Sequence, residues 1–208
     1  MKEKMHFTLD PYHEKYSSLL IFGPPGVGKG TLCKFLSNSG VLLHISSGDI
    51  FRGISPNSSA GKLVQEYANN GLLLPDEATI AIWEKYISGL YFTNRYYPEK
   101  QYLLLDGIPR TKHQAEILDK YIDVKGVIIL EVEDKQVLLD RLQNRALLEK
   151  RADDGNAKIL ATRMEVYEKE TSKVLDHYPP SLYFKINANQ KPLEVVRDAL
   201  KAIVPLIV

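Results

Sequence analysis

Three observations predict an α/β chain in three layers, with a five-stranded parallel sheet flanked by helices. Short apolar runs recur along the sequence, longer amphipathic segments separate them, and a glycine-rich loop joins the first run to the first helix. With 208 residues and 44% hydrophobic content, the chain can bury one good core without staples. No internal repeat, low-complexity tract or Gly/Ser-rich linker divides it, so a single domain over 17–208 is the economical reading.

Residues 1–16 are polar and aperiodic and read as a loose extension ahead of the fold. A first strand over 17–22 runs into glycines, and a helix over 31–38 follows, ending near Gly40. Further strands are expected over 42–46, 102–105, 127–131 and 182–186. Helices are expected over 61–69, 76–89, 111–121, 134–148, 156–177 and 192–204. Two segments stand apart from the alternation: a helical excursion over 47–75 and a short bridge over 146–150. Excursions at strand ends are where ligands are gripped.

Composition narrows the partners. A formal charge of +1 lacks the broad basic footprint of a nucleic-acid or membrane-surface binder, so any anion site must be local. The single cysteine, Cys33, excludes an intramolecular disulfide and a cysteine-built zinc site, fits a reducing cytosol, and reads as a small buried helix residue. His6, His13, His44, His113 and His177 are scattered without metal-ligand spacing and read as surface or packing residues. The first residues lack the apolar run of a signal peptide and no apolar stretch is long enough to span a bilayer, so a soluble cytoplasmic protein is expected.

The strongest local signal is Gly23-Pro24-Pro25-Gly26-Val27-Gly28-Lys29-Gly30-Thr31, a P-loop lying directly after a strand and opening a helix. Glycines let successive backbone N–H groups converge on phosphate oxygens, the helix N-terminus adds positive potential, and Lys29 supplies a full charge. Thr31 can meet a magnesium ion. Gly30 stands between the lysine and the hydroxyl, which makes the spacing a variant of the common loop. A second pattern, Leu103-Leu104-Leu105-Asp106, ends a strand on one carboxylate that can hold magnesium through water. Taken alone it is equally the pattern of a turn or capping aspartate before Gly107.

Read on through Gly107-Ile108-Pro109-Arg110-Thr111-Lys112-His113-Gln114-Ala115, the chain resembles the adenylate kinases. The resemblance is an ordered series over 17 to about 204. It includes the loop with its Lys-Gly-Thr ending, then His44-Ile45-Ser46-Ser47-Gly48-Asp49-Ile50-Phe51-Arg52, Gly61-Lys62 and Gly71-Leu72-Leu73-Leu74-Pro75-Asp76. Beyond the Asp-Gly-Ile-Pro-Arg stretch come Arg141, Arg145, Arg151 with Ala152-Asp153-Asp154, and Arg163.

The resemblance implies a P-loop nucleoside monophosphate kinase that moves a phosphoryl group between ATP and AMP to give two ADP, with magnesium and no zinc, acting as a monomer with neither nucleic acid nor membrane as partner. By position, Gly26, Val27, Gly28, Lys29, Gly30 and Thr31 would hold ATP phosphates. Arg145 would contact ATP, and Gln190 would offer a backbone contact near its base. Ser47, Arg52 and Leu72, Leu73 and Leu74 would receive AMP, Gly107, Ile108, Pro109 and Arg110 would close over its phosphate, and Gln114 would read its adenine. Lys29, Arg110, Arg141, Arg151 and Arg163 would gather around the transferred group, the last two also reaching AMP. Thr31 and Asp106 would serve magnesium, Asp106 through water. The AMP-binding insertion would cover 46–74 and a short lid 144–154. Ile108 replaces the family's usual aromatic and the connection from Arg52 to Gly61 is one residue shorter, which touches the shape of the AMP lobe.

The arginines support this independently. Arg141 and Arg163 have no carboxylate three or four residues away, so their charges must be met elsewhere, whereas Arg145 has Glu149 available. Arg141 and Arg145 lie four apart and share a helical face, presenting two guanidinium forks to one polyanion. Asp153 and Asp154 fit both the family pattern and a simple helix start. Transfer to a phosphate oxygen needs no strong base, because the acceptor is already anionic. It needs cations, alignment and exclusion of water. Two rivals remain. A UMP/CMP kinase on the same scaffold is disfavoured by Ser47 and by Thr111 to Gln114. A nucleotide-binding protein without catalysis is disfavoured by the intact set of charges.

Overall fold

The computed structural model describes residues 12–149 and 156–207. Five strands form one all-parallel sheet: β1 (Tyr16–Phe22), β2 (Leu42–Ser46), β3 (Tyr102–Asp106), β4 (Ile122–Glu131) and β5 (Tyr183–Asn187), in the order β2-β3-β1-β4-β5. The order reverses direction around β1, which places the crevice at the carboxyl end of β1 beside that of β3.

Alternation along each strand feeds two cores. Leu20, Ile45, Leu103, Leu105 and Ile129 face α4 (Asp76–Phe92) and α5 (Lys112–Leu118), where Trp83, Ile87 and Leu118 are buried. Leu19, Ile21, Leu104, Ile128 and Ile186 face α1 (Lys29–Ser37), α6 (Lys135–Glu149) and α8 (Pro192–Ile207), meeting Leu36, Leu138 and Ala199. A sheet buried on both faces is why the central strands read as apolar runs.

Between β2 and β3 the chain leaves the sheet as α2 (Ser47–Gly53), α3 (Ser59–Ala68) and α4. Serine hydroxyls start the two short helices: Ser46 accepts from the Asp49 N–H and Ser58 from the Gly61 N–H, caps worth about 1 kcal/mol each. α7 (Ala157–Lys169) begins under Asn156, whose carboxamide accepts from the Lys158 and Ile159 N–H groups. That gives the helix a start that needs neither Asp153 nor Asp154, both of which lie outside the described residues.

Two expectations are corrected. The helix predicted over 156–177 ends at Lys169, and Thr171–His177 is a tighter 3-10 segment. Its first residue, Thr171, donates its hydroxyl to the Arg110 carbonyl at 3.2 Å, and Val174 is buried in the core. Tertiary contact overrides the local pattern. β4 starts five residues before the expected strand, at Ile122. The register against β1 slips between Ser18 and Leu19, and Asp123 and Lys125 pair in this stretch, which hides the two-residue period.

Candidate functional site

The loop from Gly23 to Gly28 leaves β1 and delivers the chain into α1. Gly28 caps that helix with φ of 106°, and no side chain satisfies its first N–H groups, which leaves them for an anion. Gly26 has φ of 84°, and a Cβ there would stand 2.6 Å from the Leu138 carbonyl oxygen, so the loop lies tight against α6. Lys29 donates through Nζ to the carbonyls of Gly23 at 2.6 Å and Pro24 at 3.3 Å. Burial lowers its pKa from 10.5 to about 8, with Asp106 opposing the shift and Arg110 adding to it.

Asp106 ends β3 opposite the loop. Burial pushes its carboxyl up, but the His44 imidazole beside it and the Lys29 charge prevail, and it is held below the usual carboxylate range. A carbon added at Gly30 would sit 3.9 Å from Asp106 Oδ2, so the carboxylate stands at the loop's mouth, where Thr31 also lines the cavity. These hard oxygen donors suit magnesium.

One cavity of about 580 Å³ runs from the loop to the excursion after β2. Among the described residues, seven lysine and arginine side chains line it, namely Lys29, Lys34, Arg52, Arg110, Arg141, Arg145 and Arg163, against the two carboxylates Asp49 and Asp106. The charge these residues contribute is therefore strongly positive in a chain of net charge +1. Arg110 shows the strain of this crowding. Burial lowers its pKa, the Arg163 charge lowers it further, and Asp106 only partly compensates.

Backbone carbonyls hold the guanidinium groups in place. Arg110 Nε donates to the Gly107 carbonyl at 2.8 Å. Arg141 donates to the Val27 carbonyl at 3.3 Å and to the Ala188 carbonyl at 3.0 Å, bracing the phosphate loop against the segment after β5. Its charge is met by carbonyl dipoles, as its lack of a helical partner requires.

On the far side of the cavity, Ser47 donates its hydroxyl to the Gly107 carbonyl at 2.7 Å, and Arg52 pairs with Asp49 at 2.5 Å. Gly107 has φ of 77°, and a Cβ there would meet Ser47 Oγ at 2.7 Å and an Arg110 nitrogen at 2.8 Å. Leu73, Gly107 and Pro109 line the cavity. Leu72 points outward, and Leu74 and Ile108 are buried as packing residues, so their side chains do not line it.

Gln114 is also buried, and it does not line the cavity. Its Oε1 accepts from the Arg110 N–H at 2.7 Å and its Nε2 donates to Asp76 at 2.8 Å. One amide hydrogen and one lone pair remain for a base edge. Gln190 lines the cavity and donates to Asp198 at 2.8 Å. Arg151 and most of the expected lid lie outside the described residues. Sequence reasoning missed Thr171, which buttresses Arg110 from a distant segment, and Asp76, which holds Gln114. No local pattern signals either.

A family model described as adenylate kinase matches residues 21–182. Relatives bearing the name adenylate kinase include one from Caldanaerobacter subterraneus, 34% identical over 89% of this chain and 95% of its own. Another, from Corynebacterium urealyticum, is 37% identical over 77% of this chain and 84% of its own. One from Flavobacterium johnsoniae is 32% identical over 90% and 97%.

Proposed function

The chain belongs to the adenylate kinase family, as a nucleoside monophosphate kinase, and from that premise we propose that it catalyses ATP + AMP = 2 ADP, with magnesium, as a cytoplasmic monomer maintaining adenine nucleotide balance. The observation that carries the proposal is the single cavity shared by the phosphate loop, the arginines and the residues after β2. A donor and an acceptor can lie end to end in it.

In this reading Gly26 to Thr31 and Arg145 hold the ATP phosphates, and Gln190 stands near the base. Ser47, Arg52 and the backbone of Leu72, Leu73 and Leu74 receive AMP. Gly107, Ile108, Pro109 and Arg110 close over its phosphate, with Gln114 on the adenine. An AMP phosphate oxygen attacks the terminal phosphorus of ATP, one P–O bond forms as another breaks, and ADP leaves from each side. Lys29, Arg110, Arg141, Arg151 and Arg163 stabilise the charge on the transferred group. Magnesium bound with the nucleotide supplies neutralisation of phosphate charge, and Thr31 and Asp106 would hold it, Asp106 through water. The insertion over 46–74 and the lid over 144–154 would close to exclude water.

The test is to give the purified protein magnesium-ATP with AMP, UMP, CMP, GMP or dAMP in turn and to quantify the diphosphates. Strong ADP formation with AMP is expected. Preferential use of UMP or CMP, or no transfer at all, would overturn the reading.

A further inference from the structure

Beside the cavity, which His44 and Asp106 line and the buried Cys33 does not, three side chains from three elements converge. Cys33 comes from α1, His44 from β2 and Asp106 from the end of β3, and one ligand atom from each lies within 4.8 Å of the other two. His44 Nε2 stands 3.6 Å from Asp106 Oδ2. The convergence follows from the sheet register. His44 is opposite Leu104 and Ser46 opposite Asp106, so His44 and Asp106 emerge on the same face, the one that α1 covers with Cys33. Phosphoryl transfer uses neither the thiol nor the imidazole. The thiol is buried, and His44 Nε2 is shielded from solvent without a hydrogen-bond partner. Asp106 at 3.6 Å is too far for a full hydrogen bond, so this shielded nitrogen, facing a carboxylate and a thiol, is under-satisfied where it stands.

We infer that Cys33, His44 and Asp106 form a binding site for a soft divalent cation of the zinc class, with its fourth coordination position open to the nucleotide cavity. Bond lengths of about 2.0–2.3 Å put tetrahedral ligand atoms roughly 3.3–3.8 Å apart, which the His44–Asp106 spacing already meets. The sulfur has to close by about 1 Å at most. A sulfur, nitrogen and oxygen donor set selects zinc over magnesium, which prefers oxygen throughout. Binding replaces the thiol proton by the metal and releases that proton to solvent, with no change in oxidation state. His44 binds through the Nε2 lone pair and Asp106 as carboxylate. This is not a cage of cysteines, which one cysteine cannot build, and it is invisible to spacing because the three ligands come from separate elements. Occupancy withdraws Asp106 from magnesium and sets a second positive charge beside Lys29, so the ion inhibits.

The test uses the full chain in a large excess of magnesium, with cobalt(II) as the spectroscopic probe and zinc(II) as competitor. One cobalt per chain should give tetrahedral visible bands and a near-ultraviolet sulfur-to-metal band, both removed by zinc, and zinc should inhibit transfer. Cys33→Ala should fold, keep its activity without zinc, lose the near-ultraviolet band and bind zinc at least ~10-fold more weakly by equilibrium dialysis. His44→Gln should weaken zinc similarly while retaining the sulfur band at high cobalt. Absence of a cobalt spectrum in the parent chain, or parent-like zinc affinity in either folded variant, overturns the site. The binding readouts do not depend on kinase activity, so failure here and failure of the proposed function are separable.

Discussion

The two ends of the cavity are built by different means. At the donor end, the backbone makes the site: Gly28 leaves the first N–H groups of α1 without side-chain caps, and a central strand and α1 fix the loop. At the proposed acceptor end, side chains join the backbone in making it, and several are already engaged with the protein: Ser47 with Gly107, Arg52 with Asp49, and Gln114, just behind the lining, with Arg110 and Asp76. A backbone cradle binds any polyphosphate, because peptide groups do not distinguish one nucleotide from another. Side chains held by their neighbours offer a restricted set of donors and acceptors, so the proposed function puts selectivity at the acceptor end.

The sharpest way to break this comparison is to remove the charged side chain that the phosphate loop itself carries. Lys29→Met should leave the loop folded and lower kcat by about 10³-fold, the upper range for loss of one charged donor to the transferred group. Circular dichroism must show an intact fold, and near-normal turnover would refute the assignment. Arg163→Ala should cost roughly 10²-fold in kcat with a smaller effect on ATP affinity, because Arg163 lies beside Arg110, where charge develops. Calorimetry of ATP alongside single-turnover kinetics measures the split.

Gln114→Ala sharpens the contrast. It should raise the KM for AMP about 10-fold, the scale of one lost base-edge hydrogen bond, and leave the KM for ATP within about twofold. Equal effects on both nucleotides would show that Gln114 acts only through the Arg110 backbone.

The smallest effect concerns pH. Lys29 keeps its proton in the folded chain only up to about pH 8, whereas an unfolded lysine keeps it to 10.5. kcat/KM for ATP reports the free enzyme and should halve near pH 8 and fall further above it. Stability moves the other way. Between the two values the unfolded chain binds more protons, so the lysine's contribution to stability rises with pH through that window. Lys29→Arg should abolish the alkaline fall, and an unchanged limb in that variant would assign it to another group.

The same division decides what could be read from the chain. The strand, loop and helix around Lys29 were legible because glycine content, apolar run and helical period are all local. β2 and β3 were legible because burial on both faces leaves unbroken apolar runs. Gln114 and Arg52 could be singled out from the sequence, but their partners could not. Asp76 lies 38 positions before Gln114, and Thr171 lies 61 positions after the Arg110 carbonyl that it contacts. The 3-10 turn at Thr171 was missed for the same reason, since its cause is a contact rather than a composition. His44, read as a packing residue, stands beside Asp106 because of strand register, which no spacing rule encodes.

The crowding of Arg110 with Arg163 has a consequence for how long the molecule survives in a cell. Burial first, and the neighbouring positive charge second, disfavour the charged form of Arg110 in the folded chain, and a polyanion bound beside it would offset both. Any ligand that binds only the folded chain stabilises it by about 2.7 kcal/mol at one hundred times its Kd. Resistance to proteolysis should therefore follow the supply of nucleotide, with digestion slowing as ATP is added and the dependence flattening in Arg163→Ala.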